Sequence, residues 1–328
     1  MLPEPLLEII YAFRESRVLL TAIEMDVFTA VGEGATAAEA AGRLDADPRA
    51  AEMLLHALVA LGVLTKHDGV FRNTEVSARY LVADSPQSAR LALMHAVNLW
   101  PRWSTLTECV RAGTSVTYRE MAERDEDWTA AFIAAMHHNA VARAPLVVRA
   151  VGVEGVKRML DLGGGSGAYA IAFAQASEAL EADVLDLASV TPIAQGHIER
   201  AGLAGRVKTR VGDLRAESYG SGYDLVFISA ICHMLDPEEN RAMLRKSFEA
   251  LAPGGRVVVQ DFILEADKTA PRTAALFSLN MLVATRAGAS YSEPEYRAWL
   301  EETGFAGVRH VPLEGPTGLM LGVRPAMR

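Results

Sequence analysis

Apolar residues recur at helical spacing from Leu6 to Phe28, among them Ile9, Ile10, Phe13, Leu19, Leu20 and Ile23, and predict an amphipathic helix. Thr36-Ala-Ala-Glu39 sets a glutamate three residues after a threonine. That is a capping-box pattern, and it predicts a short helix ending near Leu44. Asp47-Pro48 opens another helix, with proline at its first position, that turns Met53, Leu54, Leu55, Leu58, Val59 and Leu61 inward. From Leu64 to Asn73, two extended pieces flank Asp68-Gly69, a hairpin signal. Helices followed by a small wing predict a winged-helix arrangement over residues 1–95. Residues 96–150 continue as a helical connector carrying Trp100, Trp103 and Trp128.

From Arg158 the period changes. Strands are predicted at 159–162, 182–186, 207–211, 223–228 and 256–264. Helices are predicted at 168–179, 192–201 and 237–251. A further helix at 293–303 ends at Gly304, and 308–312 with 318–323 form a closing hairpin. Such alternation predicts a mostly parallel sheet covered on both faces, so residues 96–328 form an α/β domain.

Composition narrows the setting. The chain has 328 residues, half of them apolar, which suits two domains with sizeable cores. A net charge of −9 without basic patches argues against a nucleic-acid or membrane-surface partner. The two cysteines, Cys109 and Cys232, make neither a disulfide framework nor a zinc cluster. No secretion signal or spanning segment is legible, so a cytoplasmic location is expected.

The candidate chemistry centres on Asp161-Leu-Gly-Gly-Gly-Ser-Gly167, between a strand end and a helix start. Glycines there let the backbone approach a ligand closely, and open α/β sheets bind ligands beyond the carboxyl ends of their strands. Gly163, Gly165 and Ala168 also satisfy the dinucleotide fingerprint, so an NAD-dependent oxidoreductase is a competing reading. Three carboxylates favour a different ligand. Asp161 precedes the glycines, Asp186 ends the next strand and Asp213 ends the one after. An acidic crevice attracts a sulfonium and an ammonium, and it repels a pyrophosphate.

With Asp186-Leu, Gly212-Asp-Leu, the segment Tyr223 to His233 and Leu251-Ala-Pro-Gly-Gly255, this turn completes a series. The series resembles the small-molecule O-methyltransferases of plants and bacteria that carry an N-terminal winged-helix dimerisation domain. The resemblance covers nearly the whole chain. It implies a class I, Rossmann-like seven-stranded methyltransferase sheet, an otherwise helical N-terminal domain, an intertwined homodimer and S-adenosyl-L-methionine as methyl donor. It sets Gly163 and Gly165 at the methionine part, Asp186 with Leu187 at the ribose, and Asp213 with Gly212 and Leu214 at the adenine. Ser229 stands where members often have a lysine that touches the donor.

His233 matches the family's general base, a role that suits imidazole near neutral pH. Two departures follow it. Met234-Leu235 replaces the usual Asp-Trp, and Gly288-Ala-Ser-Tyr-Ser stands where members place a glutamate that orients the histidine. Asp261 and Asp236 are the candidate substitutes. Without an orienting acid, carbon methylation beside a carbonyl stays open, as does a non-methylating relative on this fold. No metal is expected; a metal-assisted variant would join His233 to His137 or His138. Trp100, Trp103, Phe132, Met136, Asn280 and Met281 are expected to line the site for a small-molecule acceptor, with Arg286 as a carboxylate clamp. The winged helix raises a DNA-binding regulator as the outside alternative. Its recognition-helix candidate, 48–62, holds only Arg49 and His56 as basic residues.

Overall fold

The computed structural model describes residues 2–120 and 123–326. The chain divides into two compact units, Met1–Trp100 and Pro101–Arg328.

The first unit begins with helices α1 (Glu4–Tyr11), α2 (Phe13–Glu24) and α3 (Val27–Val31). The apolar spacing predicts one continuous helix here. Asp26, in the left-handed region at φ 59°, separates α2 from α3. Strand β1 (Ala35–Thr36) leads into α4 (Ala37–Arg43), which opens with the Thr36–Glu39 capping box. Asp47 caps α5 (Pro48–Ala60) by accepting from the Ala50 N–H. The hairpin β2 (Leu64–His67) and β3 (Val70–Asn73) follows, then α6 (Glu75–Tyr80). β1 adds antiparallel to β3, so the order is β1-β3-β2. Helix α7 (Arg90–Trp103) runs across the boundary between the units.

Ile23, Phe28, Leu55, Leu58, Leu64 and Phe71 form this unit's core. Met53 departs from the expected inward set and is exposed. It falls off the helical face shared by Ala51, Leu55 and Leu58. Helix α1 buries none of its residues, and Leu6, Ile9, Ile10 and Phe13 all stand exposed.

The second unit continues with α8 (Leu106–Ala112) and α9 (Glu126–Val151). Strand and helix then alternate through β4 (Arg158–Leu162), α10 (Ala168–Ala176), β5 (Glu181–Asp186), α11 (Thr191–Arg200) and β6 (Val207–Val211). Next come β7 (Tyr223–Ser229), α12 (Pro237–Ala250), β8 (Leu251–Asp261), α13 (Arg272–Ala284) and α14 (Glu293–Thr303). β9 (Ala306–Pro312) and β10 (Gly318–Val323) close the chain.

The sheet has seven strands in the order β6-β5-β4-β7-β8-β10-β9. The first five are parallel, and β10 runs antiparallel to both β8 and β9. Because neighbouring residues of a strand face opposite sides, Leu160, Val226, Ile228 and Val259 join Leu244, Tyr296 and Leu300 in one apolar layer. Met159, Leu225, Phe227 and Val258 join Val147, Phe173 and Ile198 in the other. Between β4 and β7 the chain reverses its direction of growth across the sheet, which opens a crevice at the carboxyl end of β4. No helix among the described residues is long and apolar enough to cross a membrane.

Candidate active site

The glycine turn leaves β4 at this reversal. Gly163 (φ 62°), Gly165 (φ 58°) and Gly167 (φ 73°) are all left-handed. A side chain at Gly163 would strike Ile231, whose Cγ1 lies 2.9 Å from the ideal Cβ position, whereas Gly165 faces open space. Asp161 lies beneath the turn, its Cγ 2.8 Å from where a Cβ on Gly164 would stand. It is fully buried. Its Oδ2 accepts from the Ala170 N–H at 3.3 Å, while its Oδ1 meets no donor among the described residues. Burial pushes its pKa up to about 7; the Ala170 bond offsets part of this and the charge of Asp186 adds to it.

Asp186, at the end of β5, accepts from the N–H of Gly165 at 2.8 Å and of Leu187 at 2.7 Å. Burial raises its pKa against those two donors. Past the end of β6, the Gly212 N–H donates to the Asp186 carbonyl, and Asp213 accepts from the Arg215 N–H at 2.8 Å. The Leu214 side chain comes to 3.9 Å of the ideal Cβ at Gly163. The three carboxylates therefore stand at the ends of three adjacent strands around one glycine turn. Ser229 ends β7, and its hydroxyl donates to Gln260 Oε1 at 3.2 Å.

His233 sits in a one-turn 3-10 segment, Cys232–Met234, directly after β7. Its ring is buried, with Nδ1 2.6 Å from Asp261 Oδ1. Asp261 also accepts from the His233 and Phe262 N–H groups at 3.1 and 2.8 Å and from the Tyr296 hydroxyl at 3.1 Å. A carboxylate so placed holds the proton on Nδ1 and leaves Nε2 as the acceptor nitrogen. Phe277 meets the ring edge-on at 4.8 Å and stacks on Phe262 at 3.8 Å. The acid beside His233 is thus Asp261. Asp236 instead forms a capping box with Glu239 at the start of α12. Parallel pairing sets Ser229, the last residue of β7, against Gln260, so Asp261 at the end of β8 neighbours the segment that leaves β7. That adjacency is the signal for Asp261. Tyr296, a third member of the cluster, has none in the sequence.

The expected acceptor residues separate into groups. Trp103 donates from its indole to Asn280 Oδ1 at 2.9 Å, which joins α7 to α13. Met281 is buried beside Asn280. Phe132 stacks on Trp128, one turn earlier on α9, at 5.3 Å; Met136 follows one turn later, half-buried. Trp100 belongs to the first unit, where the Arg17 guanidinium lies over its ring at 5.6 Å. Arg286 departs from the expected clamp. Its side chain is 73% exposed and pairs with Glu120 at 2.9 Å, so that acid already occupies it. Among the described residues no three acidic, histidine or cysteine side chains gather as a metal site. His137 is engaged by Ser166 Oγ at 2.8 Å and stacks on His197 at 3.8 Å, and His138 is exposed. Burial, with the nearby Arg200 and His138 charges, lowers the His137 pKa, so this ring is neutral at pH 7.

A seven-stranded sheet of this order, with a glycine turn and three strand-end carboxylates at its reversal, defines a class I methyltransferase. Residues 103–306 match the O-methyltransferase domain family and residues 7–83 the O-methyltransferase dimerisation domain family. The 3-hydroxy-5-methyl-1-naphthoate 3-O-methyltransferase of Streptomyces sahachiroi is 35% identical, over 94% of this chain and 92% of that protein. The tetracenomycin polyketide synthesis 8-O-methyl transferase TcmO of Streptomyces glaucescens is 29% identical over 98% and 97%. Among solved structures, PigF with SAH superposes with a TM-score of 0.90 at 27% identity, covering 98% of this chain and all of that one; PigF is a Serratia protein. The chain belongs to the O-methyltransferase family and is an S-adenosylmethionine-dependent methyltransferase.

Proposed function

We propose that this enzyme methylates a phenolic hydroxyl of a small aromatic metabolite, with His233 as general base and Asp261 as the residue that orients it. The observation carrying this reading is the buried His233–Asp261 contact of 2.6 Å, at the strand ends beside the glycine turn. The hydroxynaphthoate specificity in the name of the Streptomyces sahachiroi relative supports a phenolic acceptor.

The residues present fit the methyl donor. Gly165 offers open space, and Asp161 offers a buried oxygen without a donor. Asp161 would hold the donor's ammonium, Asp186 with Leu187 its ribose, and Asp213 with Gly212 and Leu214 its adenine. S-adenosylmethionine, when bound, supplies a methyl group activated by the adjoining sulfonium. The chain's share of the chemistry is alignment and removal of the acceptor proton. His233 Nε2 takes that proton, and Asp261 stabilises the imidazolium that results. A phenol of ordinary pKa, about 10, is scarcely ionised at pH 7, so a fixed base matters.

We also infer that the first unit pairs two chains in a homodimer, supported by the exposed apolar residues Leu6, Ile9, Ile10 and Phe13. Light scattering should give twice the chain mass; a monomer at micromolar concentration would end this inference.

Two measurements test the main reading. Incubation with S-adenosylmethionine carrying a labelled methyl and a panel of naphthols and phenols should label the aromatic oxygen. Label found only on carbon, or no transfer at all, would overturn the reading. Calorimetric titration with S-adenosylmethionine tests the role of Asp161. Its raised pKa, about 7, means that the ligand-free carboxyl is mostly protonated at pH 6.5. An ammonium beside it favours the ionised form, so binding should release a proton at pH 6.5 and tighten from pH 6 to 8. Asp161→Asn should abolish that release; an unchanged proton count would remove Asp161 from the ammonium site.

A further inference from the structure

Two guanidinium groups of the second unit lie against one indole. Arg102, on α7, places its Cζ 5.2 Å from the ring of Trp128, and Arg124, just before α9, places its own at 4.8 Å from the same ring. The Arg102 Nη2 is buried and meets no acceptor, and no carboxylate pairs with Arg102 among the described residues. The nearest acids, Asp125 and Glu123, act on Arg124 and not on Arg102. Asp125 caps α9 by accepting from the Trp128 N–H at 2.7 Å, and Glu123 accepts from the Glu120 N–H at 3.1 Å. Burial first, and then the charge of Arg124, lowers the Arg102 pKa to about 10, which still leaves it cationic at pH 7. A buried guanidinium donor without an acceptor, beside a second like charge, is costly unless an anion joins it.

The cluster is tied to the base. Trp103, the next residue along α7, donates to Asn280 on α13. One turn earlier on α13, Phe277 meets the His233 ring at 4.8 Å. The flat Trp128–Phe132 stack, 11° from parallel, gives an aromatic wall beside the guanidinium groups.

We propose that Arg102, backed by Arg124, binds a carboxylate carried by the acceptor, so that the substrates are hydroxylated aromatic acids. This rests on the reading of the enzyme as an aromatic O-methyltransferase and assigns to Arg102 the clamp that Arg286 does not form. Arg presents a planar fork suited to a carboxylate, and the Trp128 face holds that fork in place.

The test uses the full chain saturated with S-adenosylhomocysteine and two probes that cannot be methylated, 1-naphthoate and 1-naphthamide. The native protein should bind the acid at least tenfold more tightly than the amide. Arg102→Met should weaken the acid on the order of 30-fold and the amide less than threefold, with S-adenosylhomocysteine affinity unchanged. Arg102→Lys keeps the charge without the fork and should show a smaller loss, again confined to the acid; it decides the matter if the methionine variant fails to fold. Equal binding of acid and amide by the native protein, or equal losses for both in the variants, would overturn the proposal. Should neutral naphthols be methylated while naphthoate binding ignores Arg102, the enzyme assignment survives and the carboxylate site does not. Arg102-dependent naphthoate binding without transfer to any hydroxylated aromatic would keep the carboxylate site and remove the aromatic hydroxyl as acceptor.

Discussion

Replacing His233 by alanine is expected to lower kcat by about 10² to 10⁴-fold, the range for removing a positioned general base, while S-adenosylmethionine binding stays within about twofold of native. In the proposed arrangement the donor's contacts come from Asp161, Asp186 and Asp213, none of which bonds to this ring. Asp261→Asn gives the sharper test, because the new side chain has nearly the same size. An amide cannot hold the proton on Nδ1 as a carboxylate does, and it does not stabilise the imidazolium. A drop in kcat on the order of 10²-fold is expected, with the variant's rate recovering as pH rises and the phenol ionises by itself. Acceptors already ionised at pH 7, such as nitrophenols, should escape most of the loss in both variants. Equal losses for nitrophenols and ordinary phenols would mean that the pair is structural and that alignment alone drives transfer.

Gly288→Ala should be nearly as damaging, through steric exclusion. A Cβ at Gly288 would run into the carbonyl oxygen of His233 and come within 3.0 Å of the Met234 carbonyl carbon and 2.8 Å of Thr285 Oγ1. Two of these neighbours are backbone, so the one-turn segment bearing the base must shift. Displacement of a catalytic group by about 1 Å can cost on the order of 10²-fold in rate, and overpacking of this kind costs about 1–3 kcal/mol of stability. The expected outcome is a folded protein, with a melting temperature lowered by a few degrees, native donor affinity and strongly reduced kcat. Native turnover would show that the loop around Gly288 yields without moving His233.

Much of this arrangement is legible in the chain. Alternation after Arg158 indicates a parallel sheet, and the ordered motifs indicate which one. The carboxylate-lined crevice proposed for the donor can be read because Asp161, Asp186 and Asp213 lie at or just past strand ends, which the alternation marks in the sequence. The capping boxes at Thr36 and Asp236 are local patterns as well, but the second is obscured by its nearness to His233, which makes Asp236 resemble a partner for the base. Asp261 is the partner because β7 and β8 lie side by side, and pairing between strands is not a local property. The acceptor side is least legible. Arg286 and Arg102 are both arginines beside apolar helix positions, and only three-dimensional packing shows that one meets Glu120 in solvent while the other, half-buried, lies against Trp128 with one buried nitrogen. Helix α1 illustrates the same limit, since its apolar spacing reads alike whether the partner surface is its own chain or another.

His233 and Asp261 are 28 residues apart, and nearly all of the chain between them is helix α12 and the length of β8. That intervening stretch leaves the strand ends, crosses the molecule and returns to the same rim. Residues added or lost at the far end of the detour, where Ala250 of α12 meets Leu251 of β8, change its length without altering the meeting of its two ends. The His233–Asp261 pair is therefore anchored by the register of two neighbouring strands and not by the helix between them.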